Sequence, residues 1–311
     1  MNLHNLYATN PIGKQEITIP ITNEKELKGV WIEGAQIGKT LVVTTGVHGC
    51  EYVGIQAVRE LIQEISTNQL RGNIFLIPLV NESGFYQGAK QIVPEDGKNL
   101  NRCFPGKEDG TLSEQIAFAI ERICYKKADF LVDLHGGDVN ETMTPLVFFP
   151  VAAGKEMEEI TREATSYLSL SYRIQSRAKN GLYSYATQCN IPAILIERGG
   201  AGKWSKQEVE QCKQNIYELM SYLEILPKEE PIKNAIELDS VCYEETEQQG
   251  LWYCYKEAGQ RVKKGELLGE LLSYDGTLHK KYEAKFDGVV LYFTHALGVN
   301  KGDALIAYGK L

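Results

Sequence analysis

Between about residue 16 and residue 198, short apolar runs alternate with longer stretches whose apolar positions recur every three or four residues. The runs at 16–21, 29–33, 40–45, 74–80, 130–134, 146–150 and 193–197 predict strands. The periodic stretches 52–65, 113–126, 155–168 and 206–223 predict helices. In the first helix Val53, Ala57, Leu61 and Ile65 share one face, and Ser113 is the expected N-cap of the second. Strands separated by helices of this length imply an α/β fold, a mixed sheet with helices on both faces. The ligand crevice of such a sheet lies beyond the carboxyl ends of its strands.

The pattern changes at Leu226-Pro227-Lys228-Glu229-Glu230-Pro231, a charged, proline-bounded linker. Beyond it come glycine-broken β runs at 250–255, 266–273, 288–293 and 304–308. We therefore expect a catalytic domain over 1–228 and a small C-terminal β-barrel or sandwich domain over 229–311. Stretches 259–269 and 298–305 resemble the two halves of a biotinyl/lipoyl-type domain. In that family a carrier lysine sits on a hairpin after the first half. Here the matching stretch, Tyr274-Asp275-Gly276-Thr277, has none, and Lys280 and Lys281 come later. The resemblance thus implies the fold without the carrier function; a generic β-rich cap predicts the same.

Composition narrows the class. At 311 residues the chain exceeds what one core usually organises. A formal charge of −8 argues against a nucleic-acid surface. No apolar stretch approaches the roughly 18 residues that span a bilayer. Residues 1–7 lack the basic start and apolar core of a leader, so a cytoplasmic location is expected. The 7 cysteines are odd in number, scattered, and without a Cys-x-x-Cys pair, which fits reduced thiols. The expected partner is a small-molecule substrate, with no nucleic acid and no membrane; a homo-oligomer is compatible with the sequence.

The chemistry lies where apolar runs end. Gly46-Val47-His48-Gly49-Cys50-Glu51 follows the first long run, and Asp133-Leu134-His135-Gly136-Gly137 closes another. Taken singly, a histidine after a strand is usually structural, and a glutamate in a first turn complements the helix dipole. Together, two histidines and one carboxylate make the ligand set of an open catalytic zinc site, one ion per chain. The flanking glycines are expected to let the backbone approach the metal. Asp133 reads equally well as a carboxylate orienting a ligand or as a solvated strand end. In Lys98-Asn99-Leu100-Asn101-Arg102-Cys103-Phe104-Pro105-Gly106, Asn101 and Arg102 can hold a substrate carboxylate, although a lone loop arginine is more often simply solvated. Glu197 ends the apolar run 193–197, and charges are rarely buried without a partner. It reads best as a general base, with Arg198 directed to the opposite face.

In this order, Gly-x-His-Gly-x-Glu, Asn-Leu-Asn-Arg-x-Phe-Pro-Gly, Asp-Leu-His and a strand ending in Glu-x-Gly resemble the succinylglutamate desuccinylase/aspartoacylase family. That family belongs to the zinc carboxypeptidase-like fold, and the resemblance covers roughly residues 15–225. It implies zinc held by His48, Glu51 and His135, a substrate carboxylate held by Asn101 and Arg102, and Glu197 as proton shuttle. It also implies that the C-terminal domain leans over the site and restricts substrate size. Relatives often carry a carbonyl-polarising arginine before the Asn-Arg motif. The stretch 88–97 has none, and Lys90 can stand in only as a point charge.

The expected activity is therefore metal-assisted hydrolysis of the amide in a small N-acylated amino acid or related amine. A metallocarboxypeptidase acting on peptides would share the same core residues. A thiol hydrolase using Cys50 or Cys103 and a catalytically inactive metal- or ligand-binding protein are the remaining alternatives.

Overall fold

The computed structural model describes residues 13–311; the N-terminal stretch weighed above as a leader lies outside them. The first ten strands are β1 (Gly13–Pro20), β2 (Glu26–Glu33), β3 (Gln36–Thr45), β4 (Arg71–Ile77), β5 (Phe130–His135), β6 (Glu141–Met143), β7 (Leu146–Pro150), β8 (Tyr172–Ser176), β9 (Ala193–Glu197) and β10 (Ile236–Leu238). All but β6 join one sheet, in the order β1-β2-β4-β3-β5-β9-β7-β8-β10. At its centre β4, β3, β5 and β9 run parallel, while β1, β2 and β7 introduce antiparallel pairings.

The helices are α1 (Tyr52–Glu64), α2 (Glu82–Gln87), α3 (Leu112–Ile123), α4 (Lys155–Thr165), α5 (Leu182–Gln188) and α6 (Lys206–Tyr222). Alternation along the central strands divides the core in two. Leu41 and Val43 face a cluster with Val53, Ala57 and Leu61 of α1 and Ile216 and Leu219 of α6. Val42 and Leu131 face the opposite cluster, with Ile116 and Ile120 of α3 and Leu182 and Ala186 of α5. Burial on both faces is why these strands read as unbroken apolar runs.

Two local expectations need correction. Helix α3 begins at Leu112, and its cap is Thr111, whose N–H donates to Glu114 Oε2 at 2.9 Å. Ser113 is instead fully buried, giving its N–H and its hydroxyl to the Asp96 carboxylate, each at 2.8 Å. Strand β4 stops at Ile77 rather than at residue 80, because Pro78 has no N–H to continue the ladder.

After the linker come β11 (Val241–Glu245), β12 (Gly250–Cys254), β13 (Arg261–Val262), β14 (Leu267–Leu272), β15 (Leu278–Glu283), β16 (Gly288–Thr294), β17 (Gly298–Val299) and β18 (Ala304–Lys310). They form two sheets, β11-β18-β16-β13 and β15-β14-β12-β17, over a core of Trp252, Leu268, Leu271, Val290, Ile306 and Tyr308. The β14–β15 hairpin turns at residues 273–277; Lys280 and Lys281 lie along β15, paired with Glu247 and Glu270.

The two parts exchange strands. From the N-terminal side, β6 pairs with β16, setting Met143 opposite Tyr292 and Glu141 opposite Thr294. From the C-terminal side, β10 adds in parallel to β8 at the edge of the large sheet. Leu146, Ile174, Leu238, Val289 and Leu291 form a buried seam between them. Replacing Leu291, 1% exposed, by Ala should cost ~2–5 kcal/mol in urea unfolding. A loss below about 1 kcal/mol would show that the seam contributes little.

Candidate active site

Strands β3, β5 and β9 are neighbours and parallel, so their carboxyl ends open on one place. His48 follows β3, His135 closes β5, and Glu197 closes β9 directly opposite His135. Gly46, at φ +70°, lets the chain turn out of β3. A Cβ on Gly49 would lie 2.1 Å from the backbone nitrogen of Phe85. That glycine serves the close approach of α2 rather than approach to a metal, which corrects the reason expected from sequence.

The side chains of His48, Glu51 and His135 are buried, and one donor atom from each lies within 4.8 Å of the others. Glu51 sits between the two rings: Oε1 is 2.7 Å from His48 Nδ1, and Oε2 is 2.9 Å from His135 Nδ1. Oε2 also accepts the Gly136 N–H at 3.1 Å. The Glu51 carboxyl is held at about 2: burial acts to raise it, but the charges of His48 and then His135 outweigh burial. His135 is pushed well above its ordinary value. Burial opposes this, and the Asp133 and Glu51 carboxylates override it.

Each ring is fixed from behind. His135 Nε2 lies 2.9 Å from Asp133 Oδ2, and Asp133 Oδ1 accepts from Thr44 Oγ1 at 2.7 Å. Asp133 is fully buried, so of its two readings the orienting one holds. His48 Nε2 lies 3.2 Å from Asn99 Oδ1, which also accepts the Asn101 N–H at 2.9 Å. Asn99 was missed as a site residue, although it stands in the same Asn-Leu-Asn-Arg motif. Two imidazoles with Nδ1 turned inward, their far nitrogens anchored, and a desolvated carboxylate fit one divalent cation.

Glu197 Oε2 is buried with no hydrogen-bond partner among the described residues. Burial first pushes this carboxyl well above the usual range, and Glu51 and Glu141 add to the rise against the lowering pull of His135. Arg198 does turn to the opposite face, donating to Gln211 Oε1 at 2.8 Å and Asn215 Oδ1 at 3.1 Å on α6. Tyr243 of β11 is half exposed, and its phenol is raised by the burial of its remaining surface and next by the Glu197 charge. Tyr292, whose ring centroid is 6.3 Å from that of Tyr243, is raised by burial, Tyr243, Glu141 and Glu197. No periodicity or spacing marked these tyrosines, because only the β6–β16 pairing brings them here.

The other expected residues lie around this centre. Asn101 Oδ1 accepts the Leu182 N–H at 2.9 Å, while its Nδ2 has no partner among the described residues. Arg102 is exposed, with Nη1 donating to the Asn101 carbonyl at 2.8 Å. Lys90 Nζ stands 3.8 Å from Asp138 Oδ2. The Cys50 thiol donates to Asp138 Oδ1 at 3.4 Å and is pushed up to about 12, by burial and then by the Asp138 charge. Burial also raises Cys103. A thiolate nucleophile at either position is thereby disfavoured.

No helix among the described residues is long and apolar enough to cross a membrane. Residues 37–223 match the family model of the succinylglutamate desuccinylase/aspartoacylase catalytic domain. An N-alpha-acetyl-L-2,4-diaminobutyric acid deacetylase of Halomonas elongata is 24% identical, covering 95% of this chain and 90% of the relative. The product-bound structure of the ectoine utilization protein EutE (DoeB) of Ruegeria pomeroyi superposes at TM-score 0.87 and 25% identity, covering 97% and 98% of the two chains. A Silicibacter succinylglutamate desuccinylase superposes at TM-score 0.85 and 25% identity, covering 97% of each chain. With residues 37–223 matched by the family model, this chain belongs to the succinylglutamate desuccinylase/aspartoacylase family.

Proposed function

We propose that this chain is a zinc-dependent amidohydrolase that removes the acyl group from a small N-acylated amino acid. The observation that carries the reading is the donor triangle of His48, Glu51 and His135 beside the unpartnered carboxyl of Glu197. The names of the similar proteins, a deacetylase and a desuccinylase, support the same reaction class.

His48 Nδ1, Glu51 and His135 Nδ1 would hold the ion, with Asn99 and Asp133 keeping the rings in place. Bound zinc supplies an acidified water and polarises a carbonyl oxygen. Glu197 would serve as the proton acceptor beside the ion, and its raised affinity for protons suits it to hand the proton on to the departing amine. Arg102, with the free Nδ2 of Asn101, holds the substrate carboxylate and so fixes the amide near Glu197. Lys90 places a positive charge beside the carbonyl. The C-terminal domain, through Tyr243 and Tyr292, narrows the space above Glu197 and favours small substrates over peptides.

Glu197→Gln should lower kcat by ~10²–10⁴ on the best N-acyl amino acid while metal content stays at that of the wild type. Near-normal turnover would place the base elsewhere, and faster cleavage of peptides than of N-acyl amino acids would favour the carboxypeptidase reading.

Metal binding should also release a proton near neutral pH. Asp133 and Glu51 keep His135 protonated there, and that proton must leave before Nδ1 can become a ligand. Zinc affinity should therefore fall as pH falls. Calorimetric zinc titrations in two buffers of different ionisation enthalpy should give different heats; equal heats would mean that His135 is already neutral.

A further inference from the structure

Asp138 lies three residues beyond His135 and is 1% exposed, yet its contacts all point toward the active site. Its Oδ2 accepts from Gln91 Nε2 at 2.6 Å and faces Lys90 Nζ at 3.8 Å. Its Oδ1 accepts the thiol of Cys50, the residue between the ligands His48 and Glu51. One carboxylate thus joins the turn after β3, the turn at 90–91 and the loop after β5. Gln91 is held at φ +57°, a left-handed conformation that a non-glycine residue keeps only when its surroundings impose it. The side chain of this residue is the one bonded to Asp138.

The ion pair itself has an unusual shape. A carboxylate buried to this degree normally takes a cation at hydrogen-bond distance. Lys90 instead stands off at 3.8 Å, with its side chain 38% exposed, so attraction restrains the ammonium while its donors stay available. Gln91, not Lys90, satisfies Oδ2. An arrangement built only for stability would close this gap.

We propose that Asp138 is a positioning residue, which clamps the Lys90-Gln91 turn so that the Lys90 ammonium meets the carbonyl oxygen of the scissile amide. Lys90 then stabilises the negative charge that develops on that oxygen, the task for which a fixed cation is most effective. Asp138 touches no substrate and acts through Lys90. This inference rests on the amidohydrolase reading.

The test is a double-mutant cycle on the metal-loaded full chain, using the N-acyl amino acid that the wild type cleaves fastest. Lys90→Met should lower kcat ~10–10²-fold with KM changed less than about threefold, since the contact forms mainly in the transition state. Asp138→Asn should lower kcat by a similar factor when Lys90 is present and by less than about twofold in the Lys90→Met background. Lys90→Arg should recover much of the loss, as a cation is retained. Equal losses from Asp138→Asn in both backgrounds would overturn the proposal, as would a Lys90→Met variant with unchanged kcat. If Asp138→Asn does not fold, the cycle of Gln91→Ala with Lys90→Met decides by the same criterion. A wild type inactive on every N-acyl amino acid would overturn the deacylase reading and this proposal with it; additivity overturns the positioning role alone.

Discussion

Everything at the centre of this molecule answers to one constraint: the Glu51 carboxylate is taken out of water and must be met by positive charge or by donors. His48 and His135 approach it from two sides, and the Gly136 N–H closes a third. Those rings need anchors in turn, which Asp133 and Asn99 supply from behind. Asp133 is itself tied to Thr44 on the neighbouring strand. A donor set for a cation is thus built into the end of the sheet, with each group held by the next. Glu197 Oε2, which has no hydrogen-bond partner among the described residues, lies outside this chain of contacts, and burial raises its affinity for a proton instead.

The loop after β5 carries a second burden. Gly137, Asp138, Asn140 and Glu141 run from His135 into β6, the strand that joins the C-terminal sheet. The Asn140 carbonyl accepts from the His295 N–H at 2.8 Å and from Thr294 Oγ1 at 3.0 Å. Ala201, beyond Glu197, donates its N–H to the carbonyls of Asp138 and Glu141. The C-terminal sheets are therefore tied by hydrogen bonds to the loop that follows β5. Glu141 itself is pushed up to about 7, by burial and then by the Asp138 charge.

Much of the plan was legible along the chain. Central strands buried on both faces must be apolar throughout, so 41–45, 130–134 and 193–197 stood out, and the residues ending them were the ones to suspect. His48, Glu51, His135 and Glu197 were singled out in this way, and the structure places the first three within 4.8 Å of one another and Glu197 opposite His135. The cap of α3 was misread because Ser113 and Thr111 are both good caps. The choice was made by Asp96, a residue distant in sequence, which draws Ser113 inward. The strands β8 and β10 and the helix α5 escaped notice because short or half-buried segments leave too little periodicity to read.

What the sequence by itself determined is the alternation of elements, the family, and the identity of the donors, since these follow from local periodicity and from residue type at strand ends. What only tertiary structure decided is who stands behind and above them. Asp138 meets Gln91 and Lys90, Asn99 backs His48, and Tyr292 of β16 is set opposite Met143 of β6. The physical reason is range. Hydrogen-bond geometry and burial act between groups that are adjacent in space, whereas hydrophobic periodicity records only which face of its own element a residue occupies.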